Sequence, residues 1–204
     1  MNIDKIFQFT RMLSELREVK RMTKYTTSDI YENDTEHMYQ LAMICRYILE
    51  QHPEYWYDLN KVLKYALVHD MIEVYAGDTI PFSNPEAIHI HNTEHLTKET
   101  KKQREYDALI LLQSQFPEAH EIRWRIQSYE QKSDKESKFV YAIDKLIPEL
   151  SIIPDQGKNR QEHKLNMQEL LTHKDKALID PLASKLHAQV TDIIKQHPER
   201  FPRK

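Results

Sequence analysis

The chain is predicted to be all-α, and three features carry that expectation. It holds only two glycines in 204 residues, too few for the tight turns of a strand-rich architecture. Apolar side chains recur at three- and four-residue spacing along most of its length. Hydrophobic residues make up 40% and charged residues 30%, the balance of a folded domain rather than a disordered chain.

The elements follow in order. Ile3, Ile6, Phe7, Met12, Leu13 and Leu16 predict a first helix over about 3–17. Arg21 to Asn33 is polar, β-branched in places, and expected to be a loop. Asp34 and Thr35 offer capping oxygens for a second helix. Its stripe is Met38, Leu41, Ala42, Cys45, Ile48 and Leu49, and His52-Pro53 ends it. A third helix, capped near Asp58, carries Val62, Leu63, Ala66 and Leu67. It is expected to run to about Tyr75, with Gly77 as its stop. Asp78 to Ala87, with Pro81 and Pro85, reads as a loop, and Asn92 to Gln115 as a long fourth helix. Pro117 restarts the chain into a fifth, reaching about Lys132. Ser133 and Glu136 form a capping-box pattern for a sixth, which carries Phe139, Val140, Ile143 and Ile147 up to Pro148. Residues 159–197 supply one or two more helices, interrupted near Asp180-Pro181. With no repeat or clear linker, the expectation is a single domain over 1–204. Its core is placed at about residues 1–150, and 155–204 form a C-terminal helical extension packing on the core or on a partner.

Several function classes are disfavoured. The net charge of −3, with mixed signs along the chain, does not suit a nucleic-acid polymer as partner. No stretch of about 18 apolar residues predicts a membrane helix, and Met1 to Arg21 lacks a signal-peptide apolar run. The one cysteine, Cys45, lies in an apolar stretch and is expected to fill core, which is compatible with a reducing cytoplasm.

The chemistry concentrates in the third helical segment, at His69-Asp70-Met71-Ile72-Glu73. The stripe through 62, 63, 66 and 67 continues through 69, 70 and 73 by the 3.6-residue period. Burying an unpaired carboxylate costs several kcal/mol, roughly. Two carboxylates and an imidazole on one buried stripe therefore need a compensating charge. His37, at the start of the second helix's stripe, and Asp144, between Val140 and Ile147, repeat the oddity. A lone core histidine is usually hydrogen-bonded, and a lone helix aspartate is usually a cap or ion-pair partner. Three helices each bringing such a group inward point instead to one divalent cation: Mn, Co, Ni, Fe or Zn. Four protein ligands would leave positions for water and substrate. Glu73 lies one turn beyond His69 and Asp70 on the same face, where it can orient or deprotonate water without being a ligand. Asp78, just after Gly77, can bring a carboxylate back over the metal, or simply serve its turn.

Taken together, Thr35-Glu36-His37, His69-Asp70-Met71-Ile72-Glu73, Gly77-Asp78-Thr79-Ile80-Pro81 and Ala142-Ile143-Asp144-Lys145-Leu146 resemble the HD-domain hydrolases. The 5′-deoxynucleotidase-like subgroup is the nearest match, over roughly residues 1–150. The resemblance implies an all-helical HD-domain bundle with a single metal on His37, His69, Asp70 and Asp144. It implies that Glu73 serves the attacking water, that Asp78 helps at the substrate, and that Arg21 contacts a nucleotide phosphate. It also implies a homodimer acting on nucleoside 5′-monophosphates, a small-molecule phosphate ester. Where the subgroup usually carries a tryptophan shortly after that arginine, this chain has Met22-Thr23-Lys24-Tyr25, and Trp56 and Trp124 lie elsewhere.

Other readings stay open at this level. His91-Asn92-Thr93-Glu94-His95 fits the H-x-x-E-H zinc-protease spacing, though it sits at a polar helix start with His89 nearby. Within the same enzyme class, alarmones or other diphosphate-bearing nucleotides are alternative substrates. A non-catalytic nucleotide-binding module with a structural metal is a further alternative, for which Glu73 and Asp78 would be superfluous. His163, His173, His187 and His197 are expected to be structural or exposed.

Overall fold

The computed structural model describes residues 2–77, 98–167 and 174–202. The architecture is all-α, with one small hairpin. The helices are α1 (Ile3–Leu16), α2 (Asp34–Gln51), α3 (Leu59–Ala66), α4 (Glu73–Ala76), α5 (Lys98–Gln115), α6 (His120–Gln131), α7 (Lys135–Leu150), α8 (Lys158–Glu162) and α9 (Pro181–Lys195). Short 3-10 turns cover Pro53–Tyr55, Lys174–Ile179 and Pro198–Arg200. Among the described residues no helix is long and apolar enough to cross a membrane.

Local chemistry explains most boundaries. The Asn2 side chain caps α1 through the Asp4 and Lys5 amides. Asn33, rather than Asp34, caps α2, in a reciprocal box with Glu36. Asp58 caps α3 as expected, accepting from the Lys61 amide. Asp134, one residue after the expected Ser133, caps α7 in a box with Ser137. Pro148 lies inside α7 and does not end it. Asp180 caps α9, with Pro181 in its first turn, where a missing N–H costs nothing.

Two larger expectations are corrected as well. Residues 21–33 are not a plain loop: β1 (Lys20–Lys24) and β2 (Tyr31–Asn33) pair antiparallel, Lys24 facing Tyr31 and Lys20 facing Asn33 across an irregular register. The third helix also stops at Ala66, and Leu67 is half exposed rather than part of the buried stripe. Residues 67–72 continue in tight turns, with Val68 bonded to Tyr65, Met71 to Val68 and Glu73 to Asp70, before α4 begins. Gly77, at a φ of 71°, then closes α4 as the expected stop.

The interior divides into two main apolar clusters. One joins α2, α3 and α7 through Leu41, Cys45, Val62, Tyr65, Phe139 and Ile143, and extends to Leu182 of α9. The other joins α1, α5 and α6 to residues 71–72 through Met12, Leu16, Met71, Ile72, Leu112 and Ile126, and takes in Met38 of α2. Cys45 is a buried free thiol, as expected of core filler. His37, one residue before Met38 and one turn before Leu41, stands at the seam between the clusters, as does His69-Asp70 between Ala66 and Met71.

Candidate metal centre

The structure brings His37, His69, Asp70 and Asp144 together. One ligand-capable atom each from His37, His69 and Asp70 falls within 4.8 Å of the others. His37 Nε2 lies 3.0 Å from Asp144 Oδ1 and 3.9 Å from Asp70 Oδ2. The His37 and His69 ring centroids are 5.5 Å apart. Both histidines and Asp144 are buried, while the Asp70 side chain keeps 18% of its surface exposed.

The position of His69 follows from the end of α3. Its Nδ1–H donates to the Ala66 carbonyl at 3.0 Å, which fixes the tautomer and leaves Nε2 as an acceptor. That Nε2 is buried without a hydrogen-bond partner, yet it lies 3.1 Å from Asp70 Oδ2. Two acceptors so close call for a cation, or a proton, between them. An orphaned imidazole nitrogen facing a carboxylate, beside a second imidazole and a second carboxylate, is a donor set that fits a divalent cation.

Positive side chains flank the cluster. Arg21, on β1, reaches Asp34 Oδ1 and Asp70 Oδ2, both at 2.9 Å. Asp144 Oδ2 accepts from the Tyr129 hydroxyl at 3.0 Å and sits 2.6 Å from Lys145 Nζ. Burial alone would lift both carboxyl groups. For Asp70 the charge and hydrogen bond of His69 and the Arg21 charge outweigh it, and for Asp144 the Lys145 charge and the His37 hydrogen bond do, so both stay ionised below the usual carboxylate range. Burial and the Arg21 charge hold His37 below the ordinary imidazole value. For His69 burial pulls the same way but Asp70 overrides it, so its proton affinity is raised. Lys145, whose side chain is partly exposed, is held cationic by the adjacent Asp144.

Glu73 is buried at the first position of α4, its amide bonded to the Asp70 carbonyl at 2.9 Å. Asp78 lies outside the described residues, as do His89, His91, His95 and His173. His187 is buried against Glu149 at 2.8 Å, His163 reaches the Met22 carbonyl, and His197 pairs with Glu199 near the surface. Sequence reasoning missed Tyr129, Lys145 and Asp34 as partners of the cluster. Tyr129 lay three residues after the apolar Ile126 on α6, a polar-tipped side chain at core spacing. Asp34 was read as a cap, yet it is fully buried against Arg21.

Comparison with known proteins places the chain in a family. Proteins named 5′-deoxynucleotidase HDDC2 from Bos taurus and Homo sapiens are each 31% identical over 144 residues, covering 68% of this chain and 62% of theirs. The chain thus spans less than two thirds of the length of these curated relatives. A crystal structure described as a predicted metal-dependent phosphohydrolase from Magnetospirillum magnetotacticum MS-1 superposes with a TM-score of 0.78. It covers 98% of this chain and 96% of its own at 21% identity, which shows a shared fold. A family profile described as the HD domain matches residues 13–186, most of the sequence, and the chain belongs to the HD-domain family.

Proposed function

We propose that the chain is a metal-dependent phosphohydrolase that releases phosphate from nucleoside 5′-monophosphates. The observation that carries this reading is the convergence of two imidazoles and two carboxylates on a point where His69 Nε2 has no donor. His37, His69, Asp70 and Asp144 would hold one divalent cation: Mn, Co, Ni, Fe or Zn. A cation held there supplies Lewis acidity toward water and toward a phosphoryl oxygen. Glu73, buried three residues beyond Asp70, takes the proton from the attacking water. Arg21 presents positive charge beside Asp70, where the ester's phosphate would be drawn in. Asp78, next in sequence after Gly77, helps to seat the substrate. The relatives named 5′-deoxynucleotidase support the monophosphate substrate class. The same reading includes a homodimer, tested by light scattering, in a reducing cytoplasm that suits the buried Cys45 thiol.

The test is phosphate release from a panel of ribo- and deoxyribonucleoside monophosphates and diphosphate-bearing nucleotides, each with Mn, Co, Ni and Mg. Asp70→Ala is expected to lose both metal and turnover. Glu73→Ala is expected to keep metal and lose about 100-fold or more in kcat. Full turnover in Glu73→Ala would remove that residue from the mechanism, and release only from diphosphate-bearing compounds would move the substrate class.

A further inference from the structure

The hairpin that carries Arg21 is only two strands wide, and such a ribbon is marginal by itself in water. Its outer edge is covered from far along the chain. Asn159, in α8, accepts from the Lys24 amide at 2.9 Å and donates its own Nδ2 to the Lys24 carbonyl at 3.3 Å. One side-chain amide thereby bonds both backbone groups of that residue, as a third strand would. Two positions earlier on the same edge, His163 Nε2 donates to the Met22 carbonyl at 3.0 Å. Lys24 Nζ closes on Glu162 at 2.6 Å, and Lys158 reaches Asp29 between the strands at 2.6 Å.

Asn159 is itself held. Buried Asp155 accepts from Asn159 Nδ2 at 2.8 Å and from the Gly157 amide at 2.7 Å. Gly157 has a φ of 76°, and a Cβ there would come within 2.1 Å of the Arg200 carbonyl oxygen. The turn into α8 is thus sterically locked against the C-terminal segment, and Asn159 projects from a fixed point onto β1.

We propose that Asn159 is a positioning residue: with Asp155 behind it, it clamps β1 and so fixes the Arg21 guanidinium at the phosphate end of the site. The catalytic consequence rests on the reading of Arg21 given above, whereas the clamp itself does not. Asp155 and Asn159, in a segment whose apolar content alone suggests only packing, thereby support the substrate site from a distance.

The experiment compares Asn159→Ala, Arg21→Ala, the double variant and Lys158→Ala, using 2′-deoxyadenosine 5′-monophosphate as probe. Metal content and amide hydrogen exchange over residues 20–33 are read in parallel. Asn159→Ala is expected to raise KM about fivefold, from the loss of two hydrogen bonds, with bound metal unchanged. The β1 amides are expected to exchange faster in that variant. The double variant is expected to be no worse than Arg21→Ala, since both act through one group. Lys158→Ala, which removes only a surface ion pair, is expected to behave as the parent. Unchanged KM in Asn159→Ala alongside a raised KM in Arg21→Ala overturns the positioning role, as does a multiplicative double variant. If Arg21→Ala leaves KM unaltered, the phosphate reading of Arg21 fails; β1 exchange no faster in Asn159→Ala overturns the clamp.

Discussion

Replacing Asp144 by asparagine separates a metal ligand from a mere ion-pair partner. This carboxylate touches His37, Tyr129 and Lys145. Breaking a fully buried pair costs about 3–5 kcal/mol. The Lys145 side chain keeps 38% of its surface in solvent and can turn outward, and asparagine preserves an oxygen for Tyr129. The loss without metal is therefore expected at about 1–2 kcal/mol. At about 2–4 °C per kcal/mol for a chain of this size, Tm falls by about 2–8 °C. Metal changes the comparison. A cation at one hundred times its Kd stabilises the parent by about 2.7 kcal/mol, or about 5–11 °C. Losing an anionic ligand should weaken binding by at least the ~100-fold that even outer-shell changes can cause. At the same concentration the variant then gains only about 0.4 kcal/mol, or about 1 °C. The assay is differential scanning fluorimetry of both proteins, chelated and with added Mn. An equal metal-induced rise in the two proteins would refute Asp144 as a ligand, whatever the drop in the chelated state.

Other outcomes can be checked alongside. His69 has a raised proton affinity, so its protonated pairing with Asp70 stabilises the metal-free fold fully below the ordinary imidazole value and is lost as pH rises through the raised one. His37 stays neutral over that window, so metal binding displaces one proton, and apparent affinity should climb by up to about tenfold per pH unit before levelling off. Isothermal titration in buffers of different ionisation enthalpy checks this, and a flat profile would contradict it. Tyr129→Phe removes one buried hydrogen bond to Asp144 and should cost about 1 kcal/mol in urea unfolding, with metal still bound. Asn33→Ala removes the cap of the helix that carries His37 and should cost about 1 kcal/mol in the same measurement.

How far the sequence could be read depended on whether the decisive contacts were local. Helices α2 and α7 were legible because each carries an apolar stripe that the fold buries where the 3.6-residue period put it. His37 and Asp144 interrupt those stripes, which made them conspicuous. The hairpin was not legible. Its strands lack alternating apolar residues, since Arg21 faces carboxylates and Lys24 faces Glu162, and its edge is satisfied by Asn159, 135 residues away. No window along the chain reports such a contact. The cap of α2 was missed by one residue for a similar reason. Asn33 and Asp34 are both good capping residues, and the choice falls to Asn33 because Asp34 is drawn inward by Arg21.

The largest departure from the expected helices lies at the chemistry itself. An unbroken third helix would turn by about 100° between His69 and Asp70, setting them at the two edges of one face. It would also commit the Ala66 carbonyl to the amide four residues on, at Asp70. The helix instead ends at Ala66, and the tight turns that follow let His69 Nε2 and Asp70 Oδ2 approach to 3.1 Å. The Ala66 carbonyl becomes the acceptor that orients the imidazole. Regular hydrogen bonding is given up over a few residues, and an acceptor pair that only a cation or a proton can reconcile is created in its place. The sequence pattern favours helix here, because Ala66 and Leu67 carry the apolar stripe on toward residue 69. Local rules failing at this point, and at few others along α2, α3 and α7, are what a site built for an ion would produce.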